Sequence, residues 1–257
     1  LKTDLLVSHN FKFEESPKAY KILSSKEKAL GILFKYNEEK ILKNSIYFGE
    51  SLVRDNRQKI KPLISFIGSG NYASRQLIPS FKKTGAKLYT LAASKGLKPA
   101  FIGRKFNFYN ATTDLDSIFN DPLCDSVVIS TRHDSHAELI KRSLMSGKNI
   151  FVEKPLCLKL QELLEIESLY YGIFDNYRTR KLPPPILMVG FNRRFAPLTL
   201  ILKEQLDSIN SPKVFTYTCN AGNISKDHWI NDPNIGGGRL IGESCHFVDL
   251  IRFLSNS

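Results

Sequence analysis

The sequence predicts an α/β fold, a doubly wound parallel sheet followed by an incomplete α+β domain. Two observations predict it. From Pro62 onward, short β-like runs (LISFIG, AKLYTLAA, SVVIS, NIFVE, ILMVGF) alternate with amphipathic segments such as SHAELIKRSLMSG and QELLEIESLYYG. Parallel strands joined by crossover helices produce this alternation. The first run leads straight into a Gly-Ser-Gly turn and another helical stretch, and open sheets of this kind bind ligands at the carboxyl ends of their strands.

Four segments follow from the pattern. Residues 1–37 are a short alternating and helical stretch, and 38–61 read as a polar connector or exposed helix. Residues 62–186 form the doubly wound domain, and 187–257 the start of a second, smaller one. Pro183-Pro184-Pro185 is a stiff turn ahead of the next strand. The chain opens on Leu1 and not on Met, and is expected to be a fragment.

Composition narrows the class. The 257 residues suffice for one large domain or two modest ones, and 42% hydrophobic with 24% charged residues is ordinary for a globular protein. No apolar run approaches the roughly 20 residues of a membrane span, and no signal peptide opens the chain. Cys124, Cys157, Cys219 and Cys245 lie far apart without a CxxC pair. Reduced thiols in a cytoplasmic protein are expected, with no metal site. The net charge of +12 is spread along the chain without a basic run. It reads as a solvated lysine surface that also suits a phosphate-bearing ligand, and not as a nucleic-acid patch.

The glycine turn carries the first chemistry. Leu63–Ile67 runs into Gly68-Ser69-Gly70-Asn71-Tyr72-Ala73, a G-x-G-x-x-A pattern between strand and helix. Gly68 permits the tight turn, Gly70 lets a pyrophosphate approach the backbone, and Ala73 lets the helix pack closely. The pyrophosphate then rests on free N–H groups at the helix start. This predicts a Rossmann domain binding a dinucleotide. Pro79 falls within the helix and should bend it or cost a hydrogen bond. Where an NAD-selective site carries an acid after the second strand, this chain has Ser94 and Lys95. They suit a 2′-phosphate, or Lys95 is an exposed loop lysine. The cofactor is NADP or NAD.

Further along, Val127–Thr131 ends a buried strand, and Arg132-His133-Asp134-Ser135-His136 opens a helix that Asp134 or Ser135 is placed to cap. Gly147-Lys148-Asn149-Ile150-Phe151-Val152-Glu153-Lys154-Pro155 follows. Together these resemble the glucose-fructose oxidoreductase/inositol dehydrogenase (Gfo/Idh/MocA) family over residues 62–257. The resemblance implies an NAD(P)-dependent dehydrogenase acting on a sugar or nucleotide-sugar alcohol. It implies cofactor contacts from Thr131, Arg132, His133, His136, Glu153 and Lys154, and a cis Lys154-Pro155 bond. A residue before proline is held extended, so Lys154 should end its strand and face the crevice independently of any family.

The second domain supplies the other half of the expected site. Relatives carry an Asp four residues before a His and another Asp three after it. His246 and Asp249 match, whereas Gly242 replaces the first acid, with Glu243 beside it. Spacing by three places Glu243, His246 and Asp249 on one helical face. Asp249 would then orient the imidazole, while His246 or Lys154 takes the alcohol proton. Arg193, Arg194 and Arg239 are candidates for a substrate phosphate or carboxylate, and His228 and Trp229 for a sugar pocket. Asn220-Ala221-Gly222 should close a strand.

Residues 1–37, with Ser8-His9-Asn10-Phe11 and Leu30-Gly31-Ile32-Leu33, resemble the tail of a medium-chain zinc-type alcohol dehydrogenase. That implies a fragment of a two-domain oxidoreductase, possible work in polysaccharide biosynthesis, and a homo-oligomer at full length. The alternative is a non-catalytic dinucleotide-binding sensor of the same fold.

Overall fold

The chain divides into two units, residues 1–43 and 44–257, each with parallel strands. A computed structural model describes residues 3–36, 44–49, 61–94 and 97–256. In the first unit, β1 (His9–Lys12) leads through α1 (Ser16–Leu23) to β2 (Ile32–Lys35), and β1 and β2 pair in parallel. Pro17 sits in the first turn of α1, where its missing N–H has no intrahelical partner to lose.

The second unit is a seven-stranded sheet. Its strands are β3 (Ser45–Tyr47), β4 (Leu63–Ile67), β5 (Lys87–Ala92), β6 (Asn110–Thr112), β7 (Ser126–Ile129), β8 (Asn149–Val152) and β9 (Leu187–Val189). They lie in the order β3-β6-β5-β4-β7-β8-β9, all parallel except β3, which runs antiparallel to β6. Without β3 this is the doubly wound order whose direction reverses beside β4, opening a crevice at the strand ends.

Why these runs form strands is visible in their burial. Every residue of β4 is buried, as are Val127, Val128 and Ile129 of β7. Central strands covered on both faces read as continuous apolar runs. Ile64, Phe66 and Val128 pack on one face with Leu91, Ile102 and Phe108. Val127, Ile129 and Val152 pack on the other with Ile140, Leu144 and Ile166. The helices between strands are α2 (Ile78–Lys83), α3 (Leu97–Phe106), α4 (Asp116–Phe119), α5 (His136–Met145) and α6 (Leu160–Thr179). The helix expected to be disturbed by Pro79 passes through a π turn at Ala73–Leu77 before α2. A wider turn there absorbs the missing donor.

Three features depart from the sequence reading. β3 lies in the stretch read as a connector, and its Ser45 and Tyr47 pair with Thr112 and Asn110. The three residues of β6, Asn110-Ala111-Thr112, are too few and too polar to announce a strand, yet all are buried. The strand expected to end at Asn220 does not form: residues 213–222 belong to no ladder, and Val214 is 95% exposed. An extended segment without a hydrogen-bonding neighbour is not a strand. The end of the chain is instead helical, with α7 (Pro197–Asp207) and α8 (Cys245–Ser255), the latter continuing a π turn at Leu240–Ser244.

Candidate active site

The glycine loop fits a dinucleotide. Gly68 has φ +107°, and a Cβ on it would lie 2.5 Å from the Ser130 carbonyl oxygen. Any side chain there would collide with the end of β7. Gly70 serves differently: a Cβ on it would meet nothing within 4 Å, so its bare backbone faces open space. Ala73 is 1% exposed beneath the helix start, while Asn71 and Tyr72 are exposed. The first N–H groups of that helix have no partner within it, and a phosphate placed above Gly70 would complete them. Ser94 follows β5 as expected, and Lys95 lies outside the described residues.

The turn after β7 does work other than direct contact. His136 is 0% exposed, its Nδ1 2.7 Å from the Pro155 carbonyl and its Nε2 3.4 Å from that of Thr131. The Nδ1–H bond to Pro155 anchors the start of α5 to the turn after β8. His133 is buried too, its Nδ1 2.8 Å from the Gly236 carbonyl, with Trp229 edge-on at 4.9 Å. Burial lowers the pKa of both rings, so each is a neutral donor through Nδ1. Arg132 lies over the Trp229 ring at 5.7 Å. These three residues, and Trp229, therefore hold the loops around the crevice, and no side chain of His136 reaches it. Neither Asp134 nor Ser135 caps α5: the Ser135 hydroxyl donates to the Arg132 carbonyl, and it also lies 2.6 Å from the Thr131 hydroxyl.

Lys154 ends β8 with a cis bond to Pro155, as the resemblance implied. Its ammonium donates to the Gly242 carbonyl at 2.6 Å, in the π turn that leads into α8 and His246. At Gly242 a Cβ would lie 3.0–3.2 Å from Gly236, His133 and Ile230. The residue missing an acid is also one where the helix seats closely on the β7 turn. His246 has its Nδ1 buried without a hydrogen-bond partner. Burial, then the Lys154 and Arg193 charges, lower its pKa to about 4 against weaker pulls from Asp249 and Glu243. At neutral pH it is an uncharged base. Burial raises the Glu153 carboxyl to about 7, with Lys154 opposing. Tyr72 is raised by burial and by Glu153, and its hydroxyl accepts a 3.0 Å bond from Asn192.

The substrate side corrects several expectations. Asp249 is 8% exposed, and Arg194 binds both its oxygens, through Nε at 2.7 Å and through a second nitrogen. The pair occupies the aspartate that was to orient His246 and the arginine that was to bind substrate. Glu243 pairs with Arg239 at 3.2 Å, and Arg239 also donates to the Gly222 carbonyl. Glu243 lies in the π turn while His246 and Asp249 follow in α8, and both carboxylates act on the His246 ring. Arg193 rests over Phe247 at 4.8 Å and remains exposed. His228 is exposed and accepts from the Ile230 N–H, starting a short helix at Trp229. Arg239, Glu243, Tyr217, Asn220 and Phe247 line a cleft of about 550 Å³ that does not include Lys154 or His246. Among the described residues no cluster of His, Cys, Asp or Glu could hold a metal, and no helix is long and apolar enough to cross a membrane.

Sequence reasoning passed over Gly190 and Asn192. A glycine directly after the sixth parallel strand was the available signal.

Comparison with known proteins agrees with this geometry. Residues 63–170 match the model of the oxidoreductase family with an NAD-binding Rossmann fold, Gfo/Idh/MocA. A levoglucosan dehydrogenase of Pseudarthrobacter phenanthrenivorans is 28% identical over 59% of this chain and 38% of its own. The scyllo-inositol 2-dehydrogenase (NAD(+)) of Bacillus subtilis is 28% identical over 72% of this chain and 50% of its own. The chain thus spans about half the length, or less, of these relatives. In fold it resembles levoglucosan dehydrogenase in complex with NADH and levoglucosan (TM-score 0.63, 24% identity, 76% of this chain and 54% of that one). It also resembles the WlbA dehydrogenase of Thermus thermophilus in complex with NAD and UDP-GlcNAcA (TM-score 0.62, 21% identity, 75% and 62%).

Proposed function

We propose that this chain is the dinucleotide-binding part of an NAD(P)-dependent dehydrogenase that moves hydride between nicotinamide and a hydroxyl of a sugar or nucleotide sugar. One observation carries the reading. The glycine loop and Lys154 stand at the same end of the parallel sheet, and Lys154 is bonded to the π turn that leads into α8 and an uncharged His246. Relatives that act on levoglucosan and inositol support the substrate class.

When bound, the nicotinamide supplies the hydride acceptor or donor. The chain does the rest. Gly68 and Gly70 hold the pyrophosphate, with Asn71, Tyr72 and Ala73 at the helix start, and Ser94 with Lys95 meets the adenosine ribose or its 2′-phosphate. Lys154 would hydrogen-bond the reacting hydroxyl, and the neutral His246 would take its proton. His136 and His133 fix the loops that place Lys154. Arg193, exposed over the Phe247 ring, would meet a substrate anion.

Pairing of Asp249 with Arg194, together with Gly242 in place of an acid, favours a second reading, a dinucleotide-binding sensor without turnover. We assign residues 1–37 to the end of a medium-chain dehydrogenase-like domain, on the strand-helix-strand of β1, α1 and β2. A cytoplasmic place, homo-oligomers at full length and a role in polysaccharide biosynthesis belong to the same reading. The test is an absorbance assay of NAD+ and NADP+ reduction with inositols, levoglucosan and nucleotide sugars. Turnover lost in His246→Ala supports the dehydrogenase; tight dinucleotide binding without turnover supports the sensor.

A further inference from the structure

Glu153 is a carboxyl for which the fold makes room and supplies little compensation. It follows β8, one residue before Lys154, whose ammonium donates to the Gly242 carbonyl. The Lys154 backbone N–H and charge favour its ionised form, yet burial outweighs both. One oxygen lies 2.9 Å from where a Cβ on Gly190 would be, so the glycine after β9 leaves the space it occupies. Tyr72, at the start of the helix after the glycine loop, stands close enough for Glu153 to act on its hydroxyl. Tyr72 is itself held by Asn192 from the loop after β9. A half-buried carboxyl therefore sits at the strand-end crevice, hemmed by β8, the glycine-loop helix and the β9 loop.

A carboxylate taken from water with too few donors and no bound cation to offset the loss is costly. The arrangement is relieved by an incoming positive charge. Oxidised and reduced nicotinamide differ by one positive charge on the ring, and the rest of the dinucleotide is the same. We propose that Glu153 is the residue by which this chain discriminates oxidised from reduced dinucleotide, its carboxylate favouring the cationic ring and its neutral acid form removing that preference. This rests on the dinucleotide site argued above and adds the charge logic of its nicotinamide end.

The proposal gives a sign. Glu153 titrates near 7 because burial penalises its charge, so it is largely neutral about one unit below and charged about one unit above. Lys154 acts on it from its own strand end and Tyr72 from the helix. Gly190 and Asn192 from the β9 loop are uncharged. His133 and His136 from the β7 turn and His246 from the helical turn are all held below their usual range. A ratio of affinities for the two redox forms also cancels any titration that affects both alike.

The experiment measures dissociation constants of NAD+ and NADH for the chain by calorimetry, from about pH 6 to about pH 8, in wild type and Glu153→Gln. Preference for NAD+ over NADH should rise about tenfold across the range, the effect of a one-unit pKa shift on binding the cation. In Glu153→Gln the ratio should be flat at the low-pH value, in a protein with an unchanged circular dichroism spectrum. A flat wild-type ratio overturns the proposal even if the variant does not fold, as does a slope that survives in a folded variant. Those results leave the dinucleotide site standing. Failure of wild type to bind either form removes that site and this inference with it.

Discussion

Residues 63–189 and residues 190–256 share one unit yet are built differently. In the first stretch the central strands are buried on both faces, and Ile140 of α5 is 0% exposed. In the second, α7 buries no residue and leaves Leu198 79% exposed, and Val248 on α8 is 59% exposed. The difference separates two kinds of sequence signal. Where a segment is enclosed, apolar runs and steric needs determine it locally. Where it is open, side chains pair with whatever the fold brings near, and spacing along the chain predicts little.

Substitutions sharpen this contrast. Ile140→Ala, in the enclosed half, should cost about 2–5 kcal/mol in urea denaturation, because the cavity cannot collapse. Gly68→Ala should cost about 2–4 kcal/mol, since it adds a positive-φ penalty to a 2.5 Å clash with Ser130. Arg194→Ala leaves the Asp249 carboxylate nearly buried without its partner. A loss of about 1–3 kcal/mol is expected, discounted because Arg194 is itself partly exposed. Dinucleotide affinity should stay within about twofold in that variant; a larger loss would show that the two stretches are coupled through this pair. Leu198→Ala, on the open face, should change stability by less than about 0.5 kcal/mol. A cost near that of Ile140→Ala would mean the face is covered in solution.

Two groups give opposite dependences on pH. His246 is lowered from 6.5 to about 4, so the unfolded chain binds its proton first, and stability should fall as pH drops from about 6.5 towards 4. Glu153 is raised from 4.5 to about 7, so its contribution should be lost as pH rises from about 4.5 through 7. Denaturation of His246→Ala and Glu153→Gln across this range separates them: each should remove one slope and leave the other.

Much of the sheet was legible because β4, β5, β7, β8 and β9 are apolar runs, and the central β4, β5 and β7 are covered on both faces. β3 and β6 were not, since three residues carry no period and their order comes from mutual pairing. In the site, the glycine loop and Lys154 were legible from sterics, as was the cis bond through the resemblance. His133 and His136 were found as important positions, but their partners are backbone carbonyls distant in sequence that no motif displays. The surroundings of the helical trio were not legible either. A π turn interrupts the α-helix around Glu243, and Asp249 is claimed by an arginine 55 residues away.

The central claim is the dinucleotide site at the glycine loop. Its most direct test is fluorescence titration of the chain with NADH and NADPH, beside Gly70→Asp, which fills the open space above Gly70 with a negative side chain. Saturable binding of at least one dinucleotide is expected, lost in a Gly70→Asp protein that remains folded. A folded wild-type chain that binds neither, or a variant that binds as well as wild type, would contradict it.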